Sequence, residues 1–189
     1  MVIIQLKRPS PNNAFDKIRD YLELLHSRWH VMFLRLVVVA WELFSRQGGS
    51  FKFFNPIQSD APQLLSKLRG MAWDLHHFLF LEQVAVHRNV RSSFLIPFFL
   101  TFDRGLSQLW DVYPIHGLLF HDTPLHPIVY TNRDLLDEWK KTFPDRFHHL
   151  EKYFTYEAGQ ERNVLATGFS NLGTLVEELE IELKTLTTK

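Results

Sequence analysis

The chain has no cysteine. That excludes disulfides, thiolate metal sites and cysteine nucleophiles, and it suits a reducing compartment. Long apolar runs are also missing. The longest, Val31 to Phe44, is interrupted by Arg35 and Glu42, and it falls short of the roughly 20 residues that a membrane span needs. The apolar start Met1-Val-Ile-Ile-Gln-Leu6 is too short for a signal peptide, and its charges follow the run instead of preceding it. The expectation is a cytoplasmic protein with no membrane contact. No P-loop glycine pattern, G-x-S-x-G elbow, H-E-x-x-H pair or dinucleotide fingerprint occurs, so those chemistries have no signature here. Internal repeats and low-complexity tracts are absent too.

What is present is a chain of 189 residues with 17 Phe and five Trp. This length gives one domain, or one domain with an appendage, and a sizeable core. So many rings need either a well-covered core or a partner surface. Net charge is zero but unevenly spread. Residues 1–110 carry 13 Lys and Arg against 8 Asp and Glu, and residues 111–189 carry 8 against 13. A mildly basic front half suits an acidic partner such as RNA; equally, the two halves can neutralise each other in the fold.

The patterning is mostly helical. Apolar residues recur at spacings of three and four from Phe15 through Ile18, Leu22, Leu25, Trp29, Phe33 and Leu36 to Phe44, with Asn13 placed to cap and Asp16 in the first turn. The Val37-Val38-Val39 run is also compatible with a strand beginning near Val31. A second helix starts after Asp60 and Pro62. It carries Leu64, Leu68, Met71, Leu75 and Phe78 on one face and Trp73 and Phe80 on the other, which reads as a helix sandwiched in the interior. Residues 94–101 read as a buried strand, 106–110 as a short helix and 116–121 as another short strand. Thr131 with Asp134 reads as a cap ahead of Leu135 and Trp139. A final helix carries Leu172, Leu175, Val176, Leu179, Leu183 and Leu186 on one stripe, opposite Glu177, Glu178 and Glu182.

The strongest functional signal is Phe94-Leu-Ile-Pro-Phe-Phe-Leu-Thr-Phe-Asp103-Arg-Gly-Leu106. A carboxylate at the carboxyl end of a buried strand is where open α/β sheets place their chemistry. Upstream, Asp74 sits in the helical segment Met71-Ala-Trp-Asp-Leu-His-His77. A helix acid, a loop, an apolar strand and then Thr101-Phe102-Asp103-Arg104-Gly105-Leu106 resembles the second half of a PIN-like nuclease domain, over roughly residues 60–121. The resemblance implies a helix-rich α/β fold with a small Rossmannoid parallel sheet flanked by helices. It places a PIN-like domain at residues 1–125 and a helical extension at 126–189. It also implies Mg²⁺ or Mn²⁺ held by Asp74 and Asp103, with Glu82 or Asp111 assisting and Thr101 positioning the turn. The activity implied is a metal-dependent endoribonuclease, active or degenerate. Hard divalent cations do want clustered oxygen ligands and do polarise phosphate.

One departure stands out. In the family the first strand ends in an acid. Here Met1–Leu6 is the segment that matches that strand, Lys7, Arg8 and Pro9 follow it, and no acid precedes Asp16. A truncated or degenerate domain with an exposed sheet edge, open to self-association, is the corresponding expectation.

Other readings remain open at this level. Asp103 is equally placed to cap a helix beginning near Gly105, and Asp74 to pair with Arg69 or Arg104. Arg69 and His76 are seven residues apart, about 20° apart on one helical face. That spacing resembles the Arg–His motif of HEPN ribonucleases, which are all-helical, metal-independent and dimeric. His116, His121 and His126, with the pairs His76-His77 and His148-His149, would bind zinc only if three converged. The alternative from another class is a non-enzymatic helical interaction module. It would bind a protein partner through its Phe-rich surface or through the Leu-striped terminal helix.

Overall fold

A computed structural model describes residues 1–45, 52–55, 57, 62–86, 100–119, 128–131, 133–166 and 172–187. The first element is helix α1 (Val2–Lys7). The segment expected to form the first strand of a sheet is therefore helical. After a 3₁₀ turn at Pro11–Asn13 comes α2 (Ala14–Leu24), which buries Phe15, Ile18 and Leu22, as the three-and-four spacing requires. Asn13 stands at its N-cap but makes no side-chain cap bond.

The long apolar stripe does not run through as one helix. A π-helical turn, Leu25–Trp29, ends at His30, which has a left-handed backbone (φ 52°). The Val31 N–H donates to the Leu25 carbonyl and closes this turn. The chain then re-enters helix as α3 (Leu34–Ser45). Val37, Val38, Val39 and Ala40 are all fully buried there. Burial on every side outweighs the strand preference of three consecutive valines.

Helix α4 (Leu64–Val86) is the longest element, at 23 residues. It is not sandwiched: Leu64, Met71 and Phe78 are buried, but Trp73 and Phe80 face solvent. Helix α5 (Arg104–Val112) follows. A two-stranded antiparallel ribbon then pairs β1 (Gly117–Leu119) with β2 (Ile128–Tyr130), with Leu118 opposite Val129. The short strand expected around 116–121 is thus present at 117–119. The chain ends in four helices: α6 (Leu135–Thr142), α7 (His148–Glu151), α8 (Tyr156–Ala166) and α9 (Leu172–Thr187). Asp134 caps α6 by accepting from the Asp137 N–H at 2.9 Å.

The described residues hold no parallel sheet, and that corrects the expected α/β architecture. The ribbon is their only strand pairing, and the fold is built from helices. The expected strand at 94–101 lies largely outside the described residues; Leu100, Thr101 and Phe102, which are described, are not in a strand. One hydrophobic core draws on both sides of residue 126. Phe15, Leu22, Val38, Trp41 and Phe44 pack in the same cluster as Trp139, Leu150 and Tyr153.

Two buried charges organise this core. Arg35 lies among the rings of Phe78, Trp110 and Tyr113, at 4.3, 5.9 and 5.2 Å from their centroids. It thereby links α3, α4 and the end of α5 through cation–π contacts. Seven residues on, Glu42 is ion-paired with Arg133 at 2.7 Å. Arg133 also holds Glu138 at 2.9 Å and donates to the Val112 carbonyl at 3.2 Å. Glu138 in turn accepts from the Trp41 indole at 2.6 Å. Every charge in this network has a partner, which is the condition for burying it.

Candidate functional site

Asp103 is the N-cap of α5. Its Oδ1 accepts from the Gly105 N–H at 2.6 Å and from the Leu106 N–H at 3.2 Å. The Asp103 N–H donates to Thr101 Oγ1 at 3.0 Å. The Thr-x-Asp turn is therefore a pair of short-range side-chain-to-backbone bonds that launch a helix. Gly105 lets the chain pass closely there: an added Cβ would stand 3.1 Å from the Phe53 backbone and 3.0 Å from Asp103 Oδ1. Capping does not exhaust the carboxylate, which has about four acceptor sites.

Asp74 lies on α4, one turn before Phe78. Phe78 packs edge-to-face on Trp110 of α5, with centroids 5.0 Å apart. Trp110 lies in the last turn of α5, so this contact ties the far end of that helix to α4. Partial burial, and next the negative charge of Asp103, raise the Asp74 carboxyl above its ordinary range, while His77 pulls the other way. Neither Arg69 nor Arg104 is seen paired with Asp74; Arg69 is instead forked onto Glu180 of α9 at 2.8 and 3.0 Å.

Of the two expected assistants, Asp111 stands apart. Asp111 is exposed and, eight residues beyond Asp103, stands ~12 Å further along α5. Glu82 falls near the end of α4, and its side chain lies outside the described residues. Among the described residues no group of three or more His, Cys, Asp or Glu side chains converges. His121 and His126 lie outside them. The rings of His148 and His149 lie close but tilted, with centroids 3.9 Å apart and planes at 41°, and among the described residues they gather no third ligand.

Two rings beside the acids were not read as functional in the sequence. Trp73 precedes Asp74 and is 64% exposed; Phe102 precedes Asp103 and is 95% exposed. Each carboxylate thus follows a solvent-facing ring. Trp73 also begins a row along α4 with His76, His77 and Phe80, whose neighbouring rings are 5.6 to 6.4 Å apart. The signal was available for Trp73, which falls opposite the leucine face by helical phase. Nothing local distinguishes Phe102 from the ring-rich residues before it.

The donor set is hard oxygen only. It does not suit zinc, which takes imidazole and thiolate. It fits Mg²⁺ or Mn²⁺, since Mg²⁺ is commonly held by one or two carboxylates with waters and substrate phosphates completing the shell. Comparison with family models, with curated proteins and with solved structures finds no match to this chain.

Proposed function

We propose that the chain is a metal-dependent ribonuclease whose site is built on Asp74 and Asp103. The observation that carries this reading is that the negative charge of Asp103, 29 residues away in sequence, helps to raise the Asp74 carboxyl, after partial burial. Asp74 and Asp103 would hold Mg²⁺ or Mn²⁺; when bound, such an ion polarises phosphate and lowers the pKa of a bound water. Thr101 and the Gly105 and Leu106 N–H groups fix the Asp103 carboxylate by restraining its backbone and Oδ1. Trp73 and Phe102 offer flat faces on which unpaired bases stack, so single-stranded RNA is the substrate class. No parallel sheet is needed for this chemistry.

The test is cleavage of an end-labelled single-stranded RNA in Mn²⁺ by wild type, Asp74→Asn and Asp103→Asn. Asparagine caps helices as well as aspartate does, so Asp103→Asn removes charge without removing the helix start. The expected result is cleavage by wild type and a loss of about 100-fold or more in each variant. Cleavage unchanged in both variants, or no cleavage by wild type, removes this reading.

A second reading, a non-enzymatic interaction module, is favoured by the exposed row on α4. Its partner would be a second copy of the chain. In an antiparallel pairing about Leu75, Phe80 of one copy faces Gly70 of the other, where an added Cβ meets nothing within 4 Å. The same pairing sets Asp74 opposite His76. Sedimentation equilibrium reads it: a dimer that Trp73→Ala dissociates supports it, and a monomer at high concentration removes it.

A further inference from the structure

A cavity of about 710 Å³ lies between α1, α2, the π-helical turn, α3, α4 and α9. Its size is that of a small-molecule site. Its wall is largely aliphatic, with Ile4, Leu24, Leu36, Leu68 and Leu179 among the lining residues. The charges at its margin neutralise one another. Lys7 pairs with Glu182, Arg8 with Asp20 at 2.6 Å, Arg28 with Glu178 at 2.7 Å and Arg69 with Glu180 at 2.8 Å. An ion entering here would leave water and meet no free counter-charge. The margin therefore selects an uncharged occupant.

One polar group on the wall has no partner. Tyr21 is 5% exposed and lines the cavity. Its ring stands edge-to-face on Phe44, with centroids 6.2 Å apart, which holds it in place. Among the described residues nothing hydrogen-bonds its hydroxyl, and burial alone raises the phenol. Trp29, another lining residue, has an indole N–H that is also unpartnered but closed off by surrounding atoms. The Tyr21 hydroxyl is not enclosed in that way, so it is open to the cavity that its ring lines. A buried phenol is normally hydrogen-bonded; this one lacks an acceptor.

We propose that this cavity binds an uncharged long-chain carbonyl compound, with its chain among the leucines and its oxygen on the Tyr21 hydroxyl. A carbonyl is an acceptor alone and brings no donor that would itself go unmet. The hydrocarbon supplies most of the affinity by leaving water. The hydrogen bond supplies selectivity, because it turns an unmet phenol into a paired one. This site is separate from the Asp74–Asp103 pair and stands or falls independently of it.

The test is a fluorescence titration of the whole chain with N-phenylnaphthylamine, an uncharged probe, and its displacement by three competitors of equal chain length. These are methyl octyl ketone, the hydrocarbon in which a methylene group replaces its oxygen, and decanoate. Saturable binding at one equivalent is expected, with displacement by the ketone and by its hydrocarbon counterpart. Decanoate should be about tenfold weaker than the ketone, because its charge finds no free partner. Tyr21→Phe should weaken the ketone about fivefold and leave the hydrocarbon unchanged. It should not lower the unfolding temperature, since the hydroxyl has no hydrogen bond to lose. Leu68→Trp, which fills the cavity, should abolish binding with helicity retained; if it fails to fold, Leu179→Trp fills the same space from α9. Absence of saturable binding overturns the proposal, as does a ketone affinity that is unchanged in Tyr21→Phe or equalled by decanoate. A Tyr21→Phe variant that is clearly less stable would mean that the protein itself pairs the hydroxyl, and also overturns it. So does probe binding that declines as the chain concentration rises, which would give the cavity to a second copy.

Discussion

The guanidinium carbon of Arg35 lies 4.3 Å from the centroid of the Phe78 ring, and this contact joins the most buried helix to the helix that carries Asp74. Arg35 is 4% exposed. Its charge is compensated in part by the faces of three rings, and in that setting cation–π attraction is at its strongest. A double-mutant cycle with Arg35→Met and Phe78→Leu isolates the pair. The expected coupling is about 1–2 kcal/mol by urea unfolding. A coupling near zero would show that the ring merely fills space.

A second core charge behaves differently because its partner is an acid. Arg133→Met leaves Glu42, itself 4% exposed, without its 2.7 Å ion pair. The expected loss is about 3 kcal/mol or more. Converting Glu42 to Met in the same chain should recover most of it, since a buried pair replaced by apolar residues is often neutral. Thermal or urea unfolding of the two single variants and the double variant checks this. A double variant no more stable than Arg133→Met would mean that Glu138 and Trp41 depend on the arginine more than Glu42 does.

Much of the helical pattern was legible in the sequence because burial repeats every three or four residues. Phe15, Ile18 and Leu22 give α2, and Leu175 and Leu183 give the buried side of α9. The cap before α6 was legible in part: the sequence paired Thr131 with Asp134, and the structure makes Asp134 itself the N-cap. The break at His30 was not: a left-handed residue closing a π-turn depends on what packs around it, and the apolar spacing continues across it. The valines of α3 misled towards a strand because β-branching expresses a local preference, whereas burial on all sides is a tertiary fact. Met1–Leu6 misled similarly, being too short for its period to show. For the site, Asp103 and Thr101 were visible through their turn, and Asp74 through its helix. The resemblance already paired the two acids; what no local pattern carries is the Phe78–Trp110 contact between their helices, which joins segments that share no pattern.

The influence of Asp103 on Asp74 has a measurable consequence. Burial, then Asp103, raises the Asp74 carboxyl, so Asp103→Asn should bring its pKa down towards the ordinary range. Carboxyl-carbon NMR titration of the two proteins reads the shift directly. The same substitution should leave stability nearly unchanged. Asp103→Ala, which strips the cap from the Gly105 and Leu106 N–H groups, should cost about 1 kcal/mol. An Asp74 titration that is identical in wild type and Asp103→Asn would mean the two acids do not interact.

The buried Lys17 sets the alkaline behaviour of the fold. Its side chain is 1% exposed, and its ammonium donates to Gln5 Oε1 at 3.0 Å and stands 5.5 Å from the Phe44 ring centroid. Burial pushes its pKa down to about 8 from an ordinary 10.5. The folded chain therefore gives up this proton near pH 8, whereas the unfolded chain keeps it until about pH 10.5. Between those values the unfolded state binds more protons, so stability rises with pH. The bond to Gln5 and the ring keep the charged form partly compensated, so the rise is expected on the order of 1–2 kcal/mol. Above about pH 10 the slope turns over. Burial raises the phenols of Tyr21 and Tyr153; the unfolded chain then ionises first and stability falls. Urea unfolding from pH 7 to 11 should show a maximum near the turnover, about pH 10, and Lys17→Met should abolish the rise while leaving the fall. A rise that persists in Lys17→Met would assign the alkaline stabilisation to another group.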